Sequence, residues 1–555
     1  MNWSITMKLL ILGLIVSSAM GVRASGAQAA GTQPTELTAA KVTCLMLTGG
    51  KKGDMMPGRT GERFGVISGT RQNTKGVITT EVMPSLDRKG RPGAEFWQLR
   101  DEAWHFIHAD RSSLPGVDGA TATFSLVRVS SANTSFNNPL GDGGGQQYID
   151  CFEGGHGPGV VLRRKLQGAG VTRFTNEALW YVDSDGTAKL VARTGKQCPD
   201  SPQGHQFLQL TVPERPVTDG LGRVAFCAKV AVGGDQGNWR MGLWGGDAGE
   251  PKRLAYFGEP SPIDGTIIGG VSWLTMDRQG RLFFFDPTPF FDGRQNRGIS
   301  GVWMFDGQHF TKRIAPGMTT LEGHKIRTLS GPQHRMANLL GCTLIKGEIV
   351  TSKPSSLAVF LVDDEGIHTV MQNGDRPPGF GPNYYFDLGG FGFDSLALSA
   401  DGSVGAISVA VTEAGRPGKP PGEPIQTLWR VRKGGVELVA TIDKQLGTLS
   451  THRITAFDAA LDVSGTGEIL FAARLESTDL GAKDRQISGL WSGSPDRVRL
   501  VTTFPMTVDL GPKGTRVLQN FIPIGGAAYD SEGRVYGVGR FRDDTSAILR
   551  FELDR

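Results

Sequence analysis

The sequence is poor in the signals by which enzymes are usually read. No HExxH, GxSxG or P-loop occurs in it, so zinc-protease, nucleophile-elbow and phosphate-cradle chemistry have no local support. Two glycine clusters, Gly143-Gly144-Gly145 and Gly389-Gly390-Phe391-Gly392, lack the strand-to-helix setting that a dinucleotide turn requires. Charge of one sign is also missing. Lys and Arg total 59 against 55 Asp and Glu, without a long basic block, and this excludes nucleic acid as the expected partner. The densest basic spot, Arg163-Arg164-Lys165, reads as a solvated strand edge. Cysteine is scarce: residues 44, 151, 198, 227 and 342 show no CxxC and no metal-type spacing. The odd count leaves a thiol unpaired, an oxidising compartment permits one or two bridges, and most of the five read as small buried hydrophobes.

Long hydrophobic runs are absent as well, since nothing approaches the roughly 20 apolar residues of a membrane span. The one short run is N-terminal. Lys8, the apolar Leu9 to Val16 and the small-x-small site Ala27-Gln28-Ala29 predict a signal peptide over 1–29, with Val22-Arg23-Ala24 as an alternative cut. No Cys follows the apolar run, which argues against a lipid anchor. The mature chain is expected to be soluble, monomeric, and periplasmic or secreted.

What the sequence does have is glycine, 79 residues, with 30 Pro and a 39% hydrophobic fraction. That composition fits many short strands joined by turns over a real core. One pattern recurs about every 60 residues: a strand-like stretch with a central aromatic, a polar turn, then Leu-Val-Ala or a close variant. Trp180, Trp244, Trp303, Phe360, Trp429 and Trp491 hold the aromatic position and Leu549 ends the series. Upstream of each lies a second recurring segment, clearest at Asp219-Gly220-Leu221-Gly222-Arg223-Val224-Ala225-Phe226 and repeated from Asp277, Ser399, Ser464 and Asp530. An Asp or Ser caps a tight turn and Gly takes the positive φ, so each copy predicts a hairpin. Every unit then has four strands, and the absence of helical periodicity leaves a β-propeller as the expected fold. The large aromatics are expected between neighbouring blades.

The chain ends supply a check. The last unit stops after Ala547 to Leu553, and a stray fourth strand, Lys41 to Leu47, stands near the N-terminus. Pairing the two would close the ring and remove both sheet edges. The expected architecture is therefore all-β: a short linker over 30–40, then one closed propeller over 41–555. Eight blades are expected, with seven as the alternative if the stretch before Leu190 contains an insertion. Asp87-Arg88-Lys89-Gly90-Arg91 resembles the recurring turn, which sets one blade at about Val82 to Ser130 and the next at about Gln147 to Thr194.

The units resemble the tandem NxxGxxAF repeats of secreted bacterial proteins. Asp219 to Phe226 carries the likeness, and Gly53-Asp54-Met55-Met56-Pro57-Gly58 and Gly374-Asp375-Arg376-Pro377-Pro378-Gly379 resemble the turn that closes those repeats. The resemblance implies a bacterial extracytoplasmic repeat protein and carries over no catalytic residue.

Two features could carry chemistry. Acidic turns such as Asp183-Ser184-Asp185-Gly186 and Asp363-Asp364-Glu365-Gly366 could hold Ca²⁺, but each offers too few oxygens for its six to eight ligands and reads as a plain hairpin turn; no cofactor or metal is predicted. The segments joining a fourth strand to the next blade are richer: Gly204-His205-Gln206-Phe207, Gly323-His324-Lys325-Ile326 and Thr451-His452-Arg453-Ile454 share one pattern. His205, His324, Arg327, Tyr384, Tyr385, His452 and Arg453 are the candidate ligand-binding residues, expected on one face around the channel mouth. The alternative for each His is a cap on its own loop. The function these features favour is a non-catalytic binding or scaffold propeller for a protein, glycan or cell-surface ligand. The competing reading is a hydrolase or lyase acting on an extracellular polymer, which would need a His–carboxylate or two-carboxylate pair in the mouth.

Overall fold

The computed structural model describes residues 40–553 apart from 50–51, 59–61, 73–76, 85–94, 110–119, 124–150, 154–156, 169–170, 288, 292–295, 299, 331–340, 352–355, 390–395, 400–401, 416–420, 443–451, 478–485 and 524–527. The expected signal peptide over 1–29 and nearly all of the expected linker over 30–40 lie outside these residues.

The recurring turn does what its residue types dictate. Asp277 Oδ1 accepts the backbone N–H groups of Gln279 and Arg281 at 2.9 and 2.8 Å. Asp219 and Asp530 repeat the pattern on Leu221 and Arg223 and on Glu532 and Arg534. Ser464 and Ser399 do the same with one hydroxyl acceptor each, on Glu468 and Val404. The glycine that ends the turn has positive φ, +76° at Gly280 and +77° at Gly533, a conformation that costs other residues strain. All five capping side chains are buried.

Each turn joins the first two strands of a four-stranded antiparallel blade, and there are eight blades. Blade 1 comprises Phe64–Gln72, Ile78–Pro84, Glu95–Arg100 and Ala103–Ala109. In blade 2, Ala120–Thr123 and Cys151–Glu153 share the first-strand position before Val160–Gly168, Glu177–Val182 and Ala188–Arg193. In blade 3, Gln206–Leu210 and Val217–Thr218 precede Arg223–Val232, Asp235–Asp247 and Lys252–Tyr256. Blades 4, 5, 6 and 7 begin at Trp273, Ile326, Tyr384 and His452 and end at Ile314, Gln372, Thr441 and Phe504. Blade 8 is built on Thr515–Pro523, Val535–Phe541 and Ser546–Glu552, and its fourth strand is Lys41–Thr48. Lys41 pairs with Glu552 and Leu47 with Ala547, with a bulge between Cys44 and Met46. The ring therefore closes as the chain ends suggest.

The repeating aromatics fill the seams. Trp244 is fully buried against Val161, Leu179 and Tyr181 of blade 2, and is edge-on to Phe207 and Tyr256 of its own blade. Trp303 packs against blade 3, Phe360 against blade 4 and Trp429 against blade 5. Phe64 and Trp97 of blade 1 meet Met46, Tyr536 and Ile548 of blade 8 across the closure.

Three expectations need correction. Blade 1 runs from Phe64 to Ala109 and blade 2 from Ala120 to Arg193, earlier than the sequence suggested. The stretch Asp87 to Arg91 lies outside the described residues, and it connects the second and third strands of blade 1, not the first and second; turn composition alone does not distinguish the two. Arg163-Arg164-Lys165 is no strand edge, because Val160–Gly168 is paired on both sides. Arg164 is 1% exposed, its guanidinium 4.3 Å from the ring centroid of Phe96 in blade 1. Cys44, Cys198, Cys227 and Cys342 are free thiols, the middle two buried, which fits their reading as small hydrophobes.

Candidate functional site

Strands alternate in direction within each blade, so the second-to-third turns and the fourth-to-first connections emerge on one face, which we call the loop face. The connections are themselves hairpins. Gly195 N–H donates to Phe207 O at 2.7 Å, Gly258 to Ile268 at 2.7 Å, Gly317 to Ile326 at 2.8 Å and Gly374 to Phe386 at 2.9 Å. The returning arm ends in each case on a buried apolar side chain, and the tip reaches the fourth strand of the blade it leads into. Phe310 N–H donates to Asp264 at 2.7 Å and Thr369 N–H to Glu322 at 2.8 Å.

All seven candidate residues stand at or beside the starts of first strands, in blades 3, 5, 6 and 7. His205 is buried, with its Nδ1 2.8 Å from Tyr256 Oη, whose hydroxyl donates to Ser201 Oγ at 2.9 Å. Burial, with the nearby Arg240 and Arg253 charges, holds its imidazole below the usual histidine range. His324 Nδ1 lies 3.2 Å from Thr369 Oγ1. Arg327 faces Glu348 at 3.6 Å and Arg453 faces Glu476 at 3.0 Å. Tyr384 packs on Phe380 with ring centroids 5.6 Å apart, and Tyr385 is half-buried beside it. His452 opens the first strand of blade 7, with its side chain outside the described residues. Each of these contacts stays within one blade and the hairpin that enters it.

The loop face carries a cleft of about 510 Å³ between blades 2 and 3. One wall is the turn Thr172–Thr175 and the other is Gln206, Leu208 and Gln236, with Gly195 and Phe207 below. The first wall is self-braced: Thr172 N–H donates to Thr175 Oγ1 at 2.9 Å and Phe174 N–H to Thr172 Oγ1 at 3.2 Å. Gly195 is required here, since its φ is +77° and a Cβ would sit 2.5 Å from Thr175 Cγ2. Gln206 and Phe207 belong to the recurring connection pattern, but the other cleft residues escaped the sequence reading because they belong to no repeat; a local signal was the turn Gly233-Gly234-Asp235-Gln236-Gly237, which interrupts an unusually long strand pair.

Elsewhere the first strand of blade 3 is broken between Leu210 and Val217, and Glu214 lies in the break. Burial pushes its carboxyl up to about 7, and Arg215 pulls it back in part. The acidic turns act as turns and staples. Asp183 Oδ1 accepts Asp185 and Thr187 N–H. Asp363 and Glu365 hold Lys433 of blade 6 at 2.8 and 2.6 Å, while Asp364 holds Arg313 of blade 4 at 3.0 Å. Among the described residues no group of three or more His, Cys, Asp or Glu is arranged around a metal position.

A closed all-β ring of eight blades, entered blade by blade through hairpins, defines an eight-bladed β-propeller. The chain belongs to a family of unknown function, DUF7453, whose model matches residues 155–504. No curated protein matches it. Similar solved structures include the β-propeller domain of the Trilobed protease from Pyrococcus furiosus, at 9% identity and TM-score 0.31 over 79% of this chain and 98% of that one. An oligogalacturonate lyase from Vibrio parahaemolyticus has 9% identity and TM-score 0.30 over 82% and 98%. The polysaccharide lyase Uly1 has 10% identity and TM-score 0.32 over 90% and 94%.

Proposed function

We propose that the protein is an extracytoplasmic, monomeric, non-catalytic binding or scaffold propeller that takes its ligand on the loop face. The observation that carries this reading is the cleft between blades 2 and 3. One of its walls, the Thr172–Thr175 turn, is braced before any ligand arrives, which lowers the ordering cost of binding. The signal-peptide pattern and the NxxGxxAF-type repeats support the extracytoplasmic setting. His205 serves the site indirectly, since it directly precedes Gln206 of the cleft wall and its bond to Tyr256 fixes that strand start. His324, Arg327, Tyr384, Tyr385, His452 and Arg453 extend the same face over blades 5 to 7.

A hydrolase or lyase needs convergent acid and base groups. The described His–carboxylate contacts, His368 to Asp363 at 3.7 Å and to Glu322 at 3.8 Å, are beyond hydrogen-bond length, and Asp363 belongs to a turn on the opposite face. Binding is therefore the reading kept. The test is a ligand screen of the purified protein against cell-envelope polysaccharides and proteins, run beside the cleft-filling variant Thr175→Trp and with each bound ligand assayed for turnover. The reading expects a ligand that Thr175→Trp no longer holds and that is recovered unchanged. Ligand cleaved by the wild type, or held equally by the variant, contradicts it.

A further inference from the structure

We propose that Cys44 and Lys513 form a modification site, joined in the aerobic protein by a covalent bridge in which one oxygen links the cysteine sulfur to the lysine nitrogen. The two residues are 469 positions apart in the chain. They meet where the closure strand passes the connection from blade 7 to blade 8. Lys513 ends the short turn Gly511–Lys513, and its Nζ lies 3.6 Å from Cys44 Sγ, 3.3 Å from Cys44 O and 2.6 Å from Asp54 Oδ2. Asp54 is itself fixed, since the same oxygen accepts Leu47 N–H at 2.8 Å. The amine is thus held against a thiol, a carbonyl and a carboxylate, and lysine's flexible four-carbon stem permits the last approach to sulfur.

A thiol and an amine in contact have a reaction open to them that neither has alone. Burial, opposed by Lys513, pushes the Cys44 thiol up to about 11, so exchange with external disulfides, which needs the thiolate, is slow. Oxidation at the contact needs only dioxygen. The thiol adds dioxygen to give a sulfur-bound hydroperoxide, with an S–O bond formed and the thiol hydrogen carried to the outer oxygen. Lys513 nitrogen, its ammonium proton passed to Asp54, then attacks the oxygen bound to sulfur. The N–O bond forms, the O–O bond breaks, and the outer oxygen leaves as hydroxide, which takes a proton from nitrogen and becomes water. Sulfur and nitrogen each lose two electrons, and dioxygen takes up all four. The products are the bridge and one water.

The buried thiols differ in their surroundings. The charges that act on Cys198 and Cys227 come from Arg253 and Glu214, and neither side chain is an amine nucleophile. The bridge fastens the strand that closes the ring to the connection beside it. A cross-link between residues so far apart in sequence restricts the unfolded chain, so the bridged protein resists unfolding more than the reduced one.

The test is mass spectrometry of the purified full chain, intact and after digestion, kept either in air-saturated buffer or under nitrogen. The proposal expects the protein kept in air to gain one oxygen and lose two hydrogens, the change to map to a cross-linked peptide pair holding Cys44 and Lys513, and dithiothreitol to reverse it. Lys513→Arg keeps a cation beside Asp54 without the amine, and it should abolish the bridge, as should Cys44→Ser. Lys52→Arg, at a lysine that pairs with Asp543 at 3.1 Å, should leave the bridge intact. The bridged wild type should unfold at a higher urea midpoint than the same protein after dithiothreitol, a difference absent from both bridge-less variants. An unchanged mass at Cys44 after exposure to air, oxygen on Cys44 without the loss of two hydrogens, that loss without oxygen, or the same bridge mass in Lys513→Arg overturns the proposal. The wild-type masses decide it even where a variant fails to fold.

Discussion

At the scale of single residues, Glu214 is the carboxyl most displaced toward neutral pH among the carboxyls with a resolved value. Its cause is burial in the break of a first strand, opposed only in part by Arg215. Between about pH 4.5 and 7 the unfolded chain has released a proton that the folded protein still holds. Stability attributable to this group is therefore greatest below about pH 4.5, falls as pH rises to about 7, and is flat above that. Urea unfolding of the wild type and Glu214→Gln at pH 4.5, 6 and 8 should show the wild type losing ground relative to the variant across both steps. A pH-independent difference between them would show that the carboxyl titrates normally. His205 illustrates the same physics with the opposite charge type, since burial there favours the neutral ring.

At the scale of elements, the capped turn is the repeated joint. Asp277 is fully buried, accepts two backbone N–H groups, and its second oxygen holds Arg281 Nε at 2.6 Å. Asp277→Ala strands these donors and should cost about 1–3 kcal/mol, the scale of an unsatisfied buried polar group. Asp277→Asn keeps the accepting oxygen and should cost less, a comparison made by chemical denaturation; equal losses would mean that the ion pair rather than the cap holds the turn. These joints were legible in the sequence because Asp or Ser with Gly has one economical backbone solution. The interblade aromatics were legible for a similar reason, as Trp244, Trp303 and Trp429 recur at one strand position. Arg164 was misread because charge suggests solvent, whereas its planar guanidinium can be buried against Phe96. The cleft was hardly legible at all. It arises where a turn of blade 2 meets the hairpin and strand start of blade 3, and nothing in linear order joins Thr172 to Gln206 or Gln236.

At the scale of the whole molecule, one strand decides whether eight blades make a ring. Lys41–Thr48 is the fourth strand of blade 8, and it also seats Met46 against Phe64 and Trp97 of blade 1. Ion pairs reinforce the seam: Lys513 bonds Asp54 at 2.6 Å and Arg550 bonds Glu102 at 2.7 Å. Partly buried though they are, such pairs contribute on the order of 1 kcal/mol each, so the strand itself carries most of the closure. Without it, the edge of Ser546–Glu552 and the apolar face of blade 1 are both opened to solvent, and an open strand edge invites association. The most direct test compares equilibrium unfolding and solution mass of the protein beginning at residue 40 with one beginning at residue 49, with and without a peptide of residues 40–49 added in trans. The closed-ring account predicts that the shorter protein associates and unfolds over a broadened transition, and that the peptide restores a monomer with a single sharp one. A shorter protein that stays monomeric and unfolds at the same midpoint and slope, indifferent to the peptide, would contradict it.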